Sequence, residues 1–166
     1  RTIHLGIDQF APAGTPVCAV LDGIVERVDA CPEPLDYGTL IILKHEPEPG
    51  VCFYSLYGHL DPSCRQLPPG ITVARGQIIA DLGGGDDNGG WASHLHFQLA
   101  TVLLQTQRNF PGVCRASETT AWTNVSPDPS RLLGGTAYVC PPTAQSQRDH
   151  LQRREQYSCR ALRPGY

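Results

Sequence analysis

Short apolar runs separated by turn residues fill positions 1–104 of the chain. Residues 17–21, 24–28, 39–44, 51–57, 78–82 and 94–100 are mainly β-branched, aliphatic or aromatic, and some alternate apolar with polar. Runs of that length and composition read as strands, and no stretch sustains a 3.6-residue period. The pattern predicts a mostly β domain built on antiparallel sheet. Asp22-Gly23 lies between two such runs, which predicts a hairpin turn joining 17–21 to 24–28, with Glu26 and Arg27 exposed. Beyond 104 the pattern loosens. Residues 105–130 read as irregular, around Phe110-Pro111-Gly112 and Ser126-Pro127-Asp128-Pro129. Gly134-Gly135 and Pro141-Pro142 interrupt the chain again, and the polar stretch 143–157 predicts a short helix capped by Thr143. We expect one domain over 1–133 and a partly helical linker or docking tail over 134–166.

Composition narrows the class. Glycine (17) and proline (15) make up about a fifth of the 166 residues, against a usual ~12%. Charged residues, at 17%, fall below the usual ~25%. Both shifts suit a turn-rich β protein, and an apolar fraction of 40% argues against disorder. A net charge of −3 gives no electrostatic case for nucleic acid. No apolar run approaches the ~18–20 residues of a membrane span, and no stretch reads as a signal peptide. There is no methionine, and candidate chemistry begins at His4, so we expect a piece cut from a longer chain. The seven cysteines are odd in number and show no C-x-x-C spacing. That speaks against a structural zinc ribbon or a redox dithiol, and predicts mostly reduced thiols, several of them buried, with a disulfide framework that leaves at least one thiol over as the alternative.

The histidines carry the candidate chemistry. His94-Leu95-His96 is His-x-His inside a strand, where residues two apart share a face. Both imidazoles therefore point one way, and Leu95 and Phe97 point the other way into the core. In His4-Leu5-Gly6-Ile7-Asp8, an extended chain puts His4, Gly6 and Asp8 on one face and Ile3, Leu5 and Ile7 on the other. Gly6 leaves room for an ion or a substrate backbone. Two imidazoles and a carboxylate match the ligand count of a catalytic zinc, which keeps a fourth position for water. Tyr57-Gly58-His59 closes a strand, with Gly58 marking a close backbone approach. The loop 83–91 contains five glycines; it reads as a wide surface loop or as a groove wall, and it lacks the Gly-Lys-Ser/Thr of a phosphate loop.

These elements together resemble the lysostaphin-type (LytM-like) zinc endopeptidases, which cut peptide crosslinks in bacterial cell walls. The resemblance runs in order through Arg1-Thr2-Ile3-His4-Leu5-Gly6-Ile7-Asp8, Gly14-Thr15-Pro16-Val17, Asp22-Gly23-Ile24-Val25, Tyr37-Gly38, Ile41–His45, Tyr54–Leu60, Arg75-Gly76-Gln77-Ile78-Ile79 and His94-Leu95-His96-Phe97-Gln98-Leu99. It implies a groove-borne zinc site with one Zn2+ per chain, held by His4, Asp8 and His96. It also implies that His59 and His94 are not ligands, but stand beside the attacking water and the developing oxyanion, with a peptide or amide bond as substrate. His45 matches a frequent histidine on a sheet strand, read as structural, and His150 falls in the tail. Ala92-Ser93 departs from the family's usual Gly plus one variable residue before His-x-His.

The loop 83–91 and the region 105–130 also depart from the wall enzymes. Asn88-Gly89-Gly90-Trp91, Phe110-Pro111-Gly112-Val113 and Ser126-Pro127-Asp128-Pro129 look like a subgroup embedded in longer chains. There the module lies between a kinase-like phosphotransferase and a pyridoxal-phosphate aminotransferase. That resemblance implies a cytoplasmic setting, with cell wall or extracellular space as the alternative. Its functional alternative is a zinc-binding module with a regulatory, structural or non-wall amidase role.

Overall fold

A computed structural model of the chain describes residues 2–104 and 110–133. Its strands are β1 Thr2–His4, β2 Ile7–Phe10, β3 Pro16–Cys18, β4 Gly23–Cys31, β5 Gly38–Glu48, β6 Val51–Gly58, β7 Thr72–Val73, β8 Ile78–Asp81, β9 His94–Ala100 and β10 Val113–Arg115. Two short helices follow, α1 Thr119–Val125 and α2 Ser130–Leu133. The main sheet runs β2-β9-β6-β5-β4-β7 with every neighbouring pair antiparallel. Two small sheets, β1-β10 and β3-β8, flank it. The mostly antiparallel β architecture is therefore as the sequence pattern predicts.

Alternation divides the core. In β5, Ile41 and Leu43 pack on one face with Tyr57, Leu95, Phe97, Val17 and Leu82. Leu40 and Ile42 pack on the other with Leu56, Tyr37, Ala100 and Phe110. Strand β9 is buried along its whole length, with Leu95, Phe97 and Leu99 in the first cluster. His94, His96 and Gln98 alternate with them, on the opposite face. Fully burying a Leu or Phe contributes roughly 1.5–3 kcal/mol, and a one-residue slip would exchange these side chains for two imidazoles and an amide. The core thus fixes the register that presents the histidines.

Three local expectations are corrected. Asp22-Gly23 does not close a hairpin: β3 pairs with β8, whereas β4 pairs with β5 and β7. A turn signal reports that the chain turns, not which strand it will pair with. The extended segment 3–8 is broken at Leu5-Gly6, so Ile3 stays exposed while Leu5 is buried. The stretch 105–130 is more regular than its composition implied, because it holds β10 and α1 among its described residues. The helix expected over 143–157, the tail 134–166 and His150 lie outside the described residues. Cys64 and Cys114 are buried thiols, as expected; Cys52 is an exposed thiol, and Cys18 is disulfide-bonded. Among the described residues no helix is long and apolar enough to cross a membrane.

Candidate metal centre and its cleft

Three strands converge on one point. The pairing of β2 with β9 sets Asp8 opposite His96 and Phe10 opposite His94. The pairing of β6 with β9 sets Gly58 opposite His96 on the other side. His4 comes from β1, which is held by β10 through His4 opposite Val113, and by the Leu5 N–H donating to the Gly112 carbonyl at 2.9 Å. The break at Leu5-Gly6 lets one short segment serve two sheets and still aim His4 and Asp8 at the same place. The room left by Gly6 is filled by the His96 ring: a Cβ there would stand 2.7 Å from His96 Cε1 and Nε2. The expectation that this space receives an ion or substrate backbone is replaced by a packing role.

His4 Nε2, Asp8 Oδ1 and His96 Nδ1 form a nearly equilateral triangle. Its edges are 3.3 Å (His4–Asp8), 3.2 Å (His96–Asp8) and 3.0 Å (His4–His96). A tetrahedral zinc with ligands at ~2.0–2.1 Å separates its donor atoms by about 3.3 Å, so this donor set fits zinc in both chemistry and span. These residues form a group able to hold a metal ion. Burial of Asp8 works to raise its pKa, but the close contacts with the imidazoles of His4 and His96 outweigh it and hold the carboxyl well below the usual carboxylate range. The same contact with Asp8 raises the His4 pKa above its ordinary value, against the opposing effect of burial. The Asp8 carboxylate thus stays ionised between the two imidazoles.

His59 and His94 stand beside the triangle, their ring centroids 4.3 Å apart. His94 Nε2 lies 3.7 Å from Asp8 Oδ1. Each ring donates its Nδ1–H to a backbone carbonyl, His59 to Asn88 at 3.0 Å and His94 to Ala92 at 2.6 Å. Those bonds leave the Nε2 lone pair of each free to accept a proton. Burial pushes His59 down to about 4, assisted by the neighbouring His94 and His96, so it is neutral at pH 7. Its backbone sits at φ +64, a left-handed conformation that costs a non-glycine residue about 1–3 kcal/mol. Two bonds hold it there: His59 N–H donates to the Tyr37 carbonyl, and the Gly83 N–H donates to the His59 carbonyl, both at 2.9 Å.

The site opens into a cleft of about 350 Å³. Its rim carries exposed apolar side chains, Phe10 at 71% and Leu35 at 68% exposure, with Trp91 and Val113. Phe10 lies against the His94 ring at 5.0 Å, and Trp91 meets His59 and His94 edge-on. The loop 83–91 is a wall of this groove. Asn88 shapes it, accepting from Trp91 N–H and donating to the Trp91 carbonyl, both at 3.0 Å. His45 lies elsewhere, buried among Asp22, Ser55 and Phe53, as a structural residue.

The sequence singled out His4, Asp8, His59, His94 and His96, and the fold brings all five together. It assigned no role to Gln98, Asn88 or Ser126, although each stands in a motif quoted above: Asn88 meets His59 and Ser126 meets Gln98 across long stretches of chain, whereas Gln98 meets His96 only two residues away. Gln98 had one available signal, since it follows His94 and His96 at the same period of two.

The sequence model of Peptidase family M23 matches residues 2–109. The catalytic domain of lysostaphin, an antimicrobial peptidase from Staphylococcus simulans, is 28% identical over 80% of this chain and 80% of that one, with a TM-score of 0.54. Longer lysostaphin, again at 28% identity and a TM-score of 0.54, is matched over 84% of this chain and 50% of that one. A mutant catalytic domain of the prophage-encoded M23 protein EnpA from Enterococcus faecalis is 27% identical over 59% of this chain and 68% of that one, at a TM-score of 0.47. No curated protein matches the chain.

Proposed function

The chain belongs to peptidase family M23 and is a peptidase-type hydrolase; on that premise we propose that it is a zinc-dependent metalloendopeptidase acting on a small or glycine-rich peptide. The observation that carries this reading is the triangle of His4 Nε2, Asp8 Oδ1 and His96 Nδ1, whose edges match those of a tetrahedral zinc site. These three residues would hold the ion. Bound zinc supplies a lowered pKa for water and Lewis-acid polarisation of the scissile carbonyl.

The chain's own groups do the rest. His94 and His59 each have Nδ1–H committed to a carbonyl, which leaves Nε2 as the proton-accepting atom. One of them accepts the proton of the attacking water at Nε2. The imidazolium so formed returns that proton to the departing amine. Charge developing on the carbonyl oxygen would be met by the second ring in its imidazolium form, which donates an Nε2–H. The backbone bonds to Tyr37 and Gly83 and the ring bond to Asn88 hold His59 in place without relying on substrate. The apolar rim of Phe10, Leu35, Trp91 and Val113 excludes water and favours a compact, uncharged peptide.

The test is hydrolysis of a panel of glycyl and other small peptides by the zinc-replete chain, followed by mass spectrometry. We expect cleavage that a chelator abolishes and added zinc restores. No turnover of any peptide by zinc-replete protein would defeat the peptidase reading.

A further inference from the structure

Gln98 is fully buried beneath the site and makes four polar contacts. Its Oε1 lies 2.9 Å from His96 Nε2 and 3.4 Å from the Tyr37 hydroxyl. Its amide nitrogen donates to the Pro111 carbonyl at 3.1 Å and to Ser126 Oγ at 2.9 Å. The carbonyl of Pro111 can only accept, so the amide has one orientation, with Oε1 facing His96. Ser126 is committed as well: its hydroxyl donates to the Leu99 carbonyl at 2.8 Å and therefore receives the Gln98 N–H. An oxygen that only accepts, held against His96 Nε2, requires that nitrogen to carry the proton. In a neutral imidazole the other nitrogen, Nδ1, is then a bare lone pair, and it is Nδ1 that faces His4 and Asp8.

We propose that Gln98, locked by Pro111 and Ser126, is a positioning residue that fixes His96 in its Nε2–H form and so presents the Nδ1 lone pair to a bound cation. This rests on the metal-site reading above. It gives the segment 110–126 a role in that site. The segment's backbone and Ser126 set an amide, the amide sets a tautomer, and the tautomer sets the ligand. Neither Gln98 nor Ser126 lines the cleft; Gln98 reaches it through His96 and, more distantly, the Tyr37 hydroxyl.

The test compares the full 166-residue chain with Gln98→Leu, which removes the acceptor, and Gln98→Glu, which keeps one. Ring 15N shifts of His96 are read in the metal-free proteins above pH 8, and zinc affinity is read by competition with a chromophoric chelator. We expect wild type and Gln98→Glu to show the Nε2–H tautomer. Gln98→Leu should show a tautomer mixture and a zinc affinity lower by about 10- to 100-fold. An unchanged tautomer and unchanged affinity in Gln98→Leu would overturn the proposal. Should Gln98→Leu not fold, Gln98→Ala, which also removes the acceptor, carries the same readouts: a mixed tautomer supports the proposal and an unchanged one with unchanged affinity overturns it. If wild type shows the Nε2–H tautomer yet takes up no zinc, the metal reading fails and the tautomer lock stands.

Discussion

Replacing Gly6 with alanine adds one carbon at the most crowded point of the site. That carbon would lie 2.7 Å from His96 Cε1, His96 Nε2 and the Phe97 carbonyl oxygen, where ordinary contact begins at 3.4 Å. Something must retreat by about 0.7 Å, more than the ~0.5 Å tolerated by a ligand constellation. The Phe97 carbonyl belongs to a strand paired on both sides, with Ile7 and with Tyr57, so the His96 ring is what yields. Overpacking of this kind costs about 1–3 kcal/mol. Displacing the ring also opens the 3.0 and 3.2 Å edges of the triangle. We expect Gly6→Ala to melt several degrees lower and to bind zinc about 10- to 100-fold more weakly. Gly84→Ala is the control, since a Cβ there meets nothing within 4 Å. Thermal unfolding and a chelator competition read both effects. A Gly6→Ala protein that melts and binds zinc as wild type does would refute the seating of His96 in the glycine gap.

Other consequences are as direct. Asp8→Ala should lose zinc, whereas His59→Ala and His94→Ala should keep it and lose kcat/KM by roughly 100- to 10,000-fold; zinc loss in the histidine variants would show that ligands and proton carriers have been mis-sorted. The metal-free chain should lose stability as pH falls below 6.5, because burial lowers the pKa of His45 and takes that of His59 to about 4. Between those values the unfolded chain binds more protons than the folded one, so each group contributes at most ~1.4 kcal/mol per pH unit, in the direction of lower stability in acid. Melting temperatures that rise from pH 6.5 to 4 would reverse the assignment. Gly38→Ala meets the Asp87 carbonyl and sits at φ +65, a conformation costing an L-residue about 1–2 kcal/mol. It should push the loop 83–91 off its seat and lower turnover through Asn88 and His59 while zinc is retained; unchanged kinetics would detach that loop from the site.

What the sequence made legible was whatever depends on local period. In β9 the alternation of Leu95 and Phe97 with His94 and His96 predicts both the core face and the site face. His4 and Asp8 were legible as a pair, but the means was not: a strand broken at Gly6 and shared between two sheets depends on partners near residues 96 and 113. The missed hairpin at Asp22-Gly23 has the same cause. Helix α1, Thr-Thr-Ala-Trp-Thr-Asn-Val, is rich in poor helix formers. Its C-terminal Ser126 donates its N–H to the Trp122 carbonyl, Thr101 N–H donates to the Val125 carbonyl, and Trp122 packs edge-on against Phe110. Tertiary contacts outweigh propensity there. Gln98 and Asn88 have ordinary surface-residue identities, and only the fold discloses that both are buried against histidines.

Zinc content of the chain, purified without chelator or metal-affinity tag and assayed by elemental analysis beside Asp8→Ala, tests the metal centre most directly. We expect about one zinc per wild-type chain and essentially none in the variant. An absence of zinc in wild type with none taken up on addition, or a full complement retained by Asp8→Ala, would contradict a metal held by His4, Asp8 and His96.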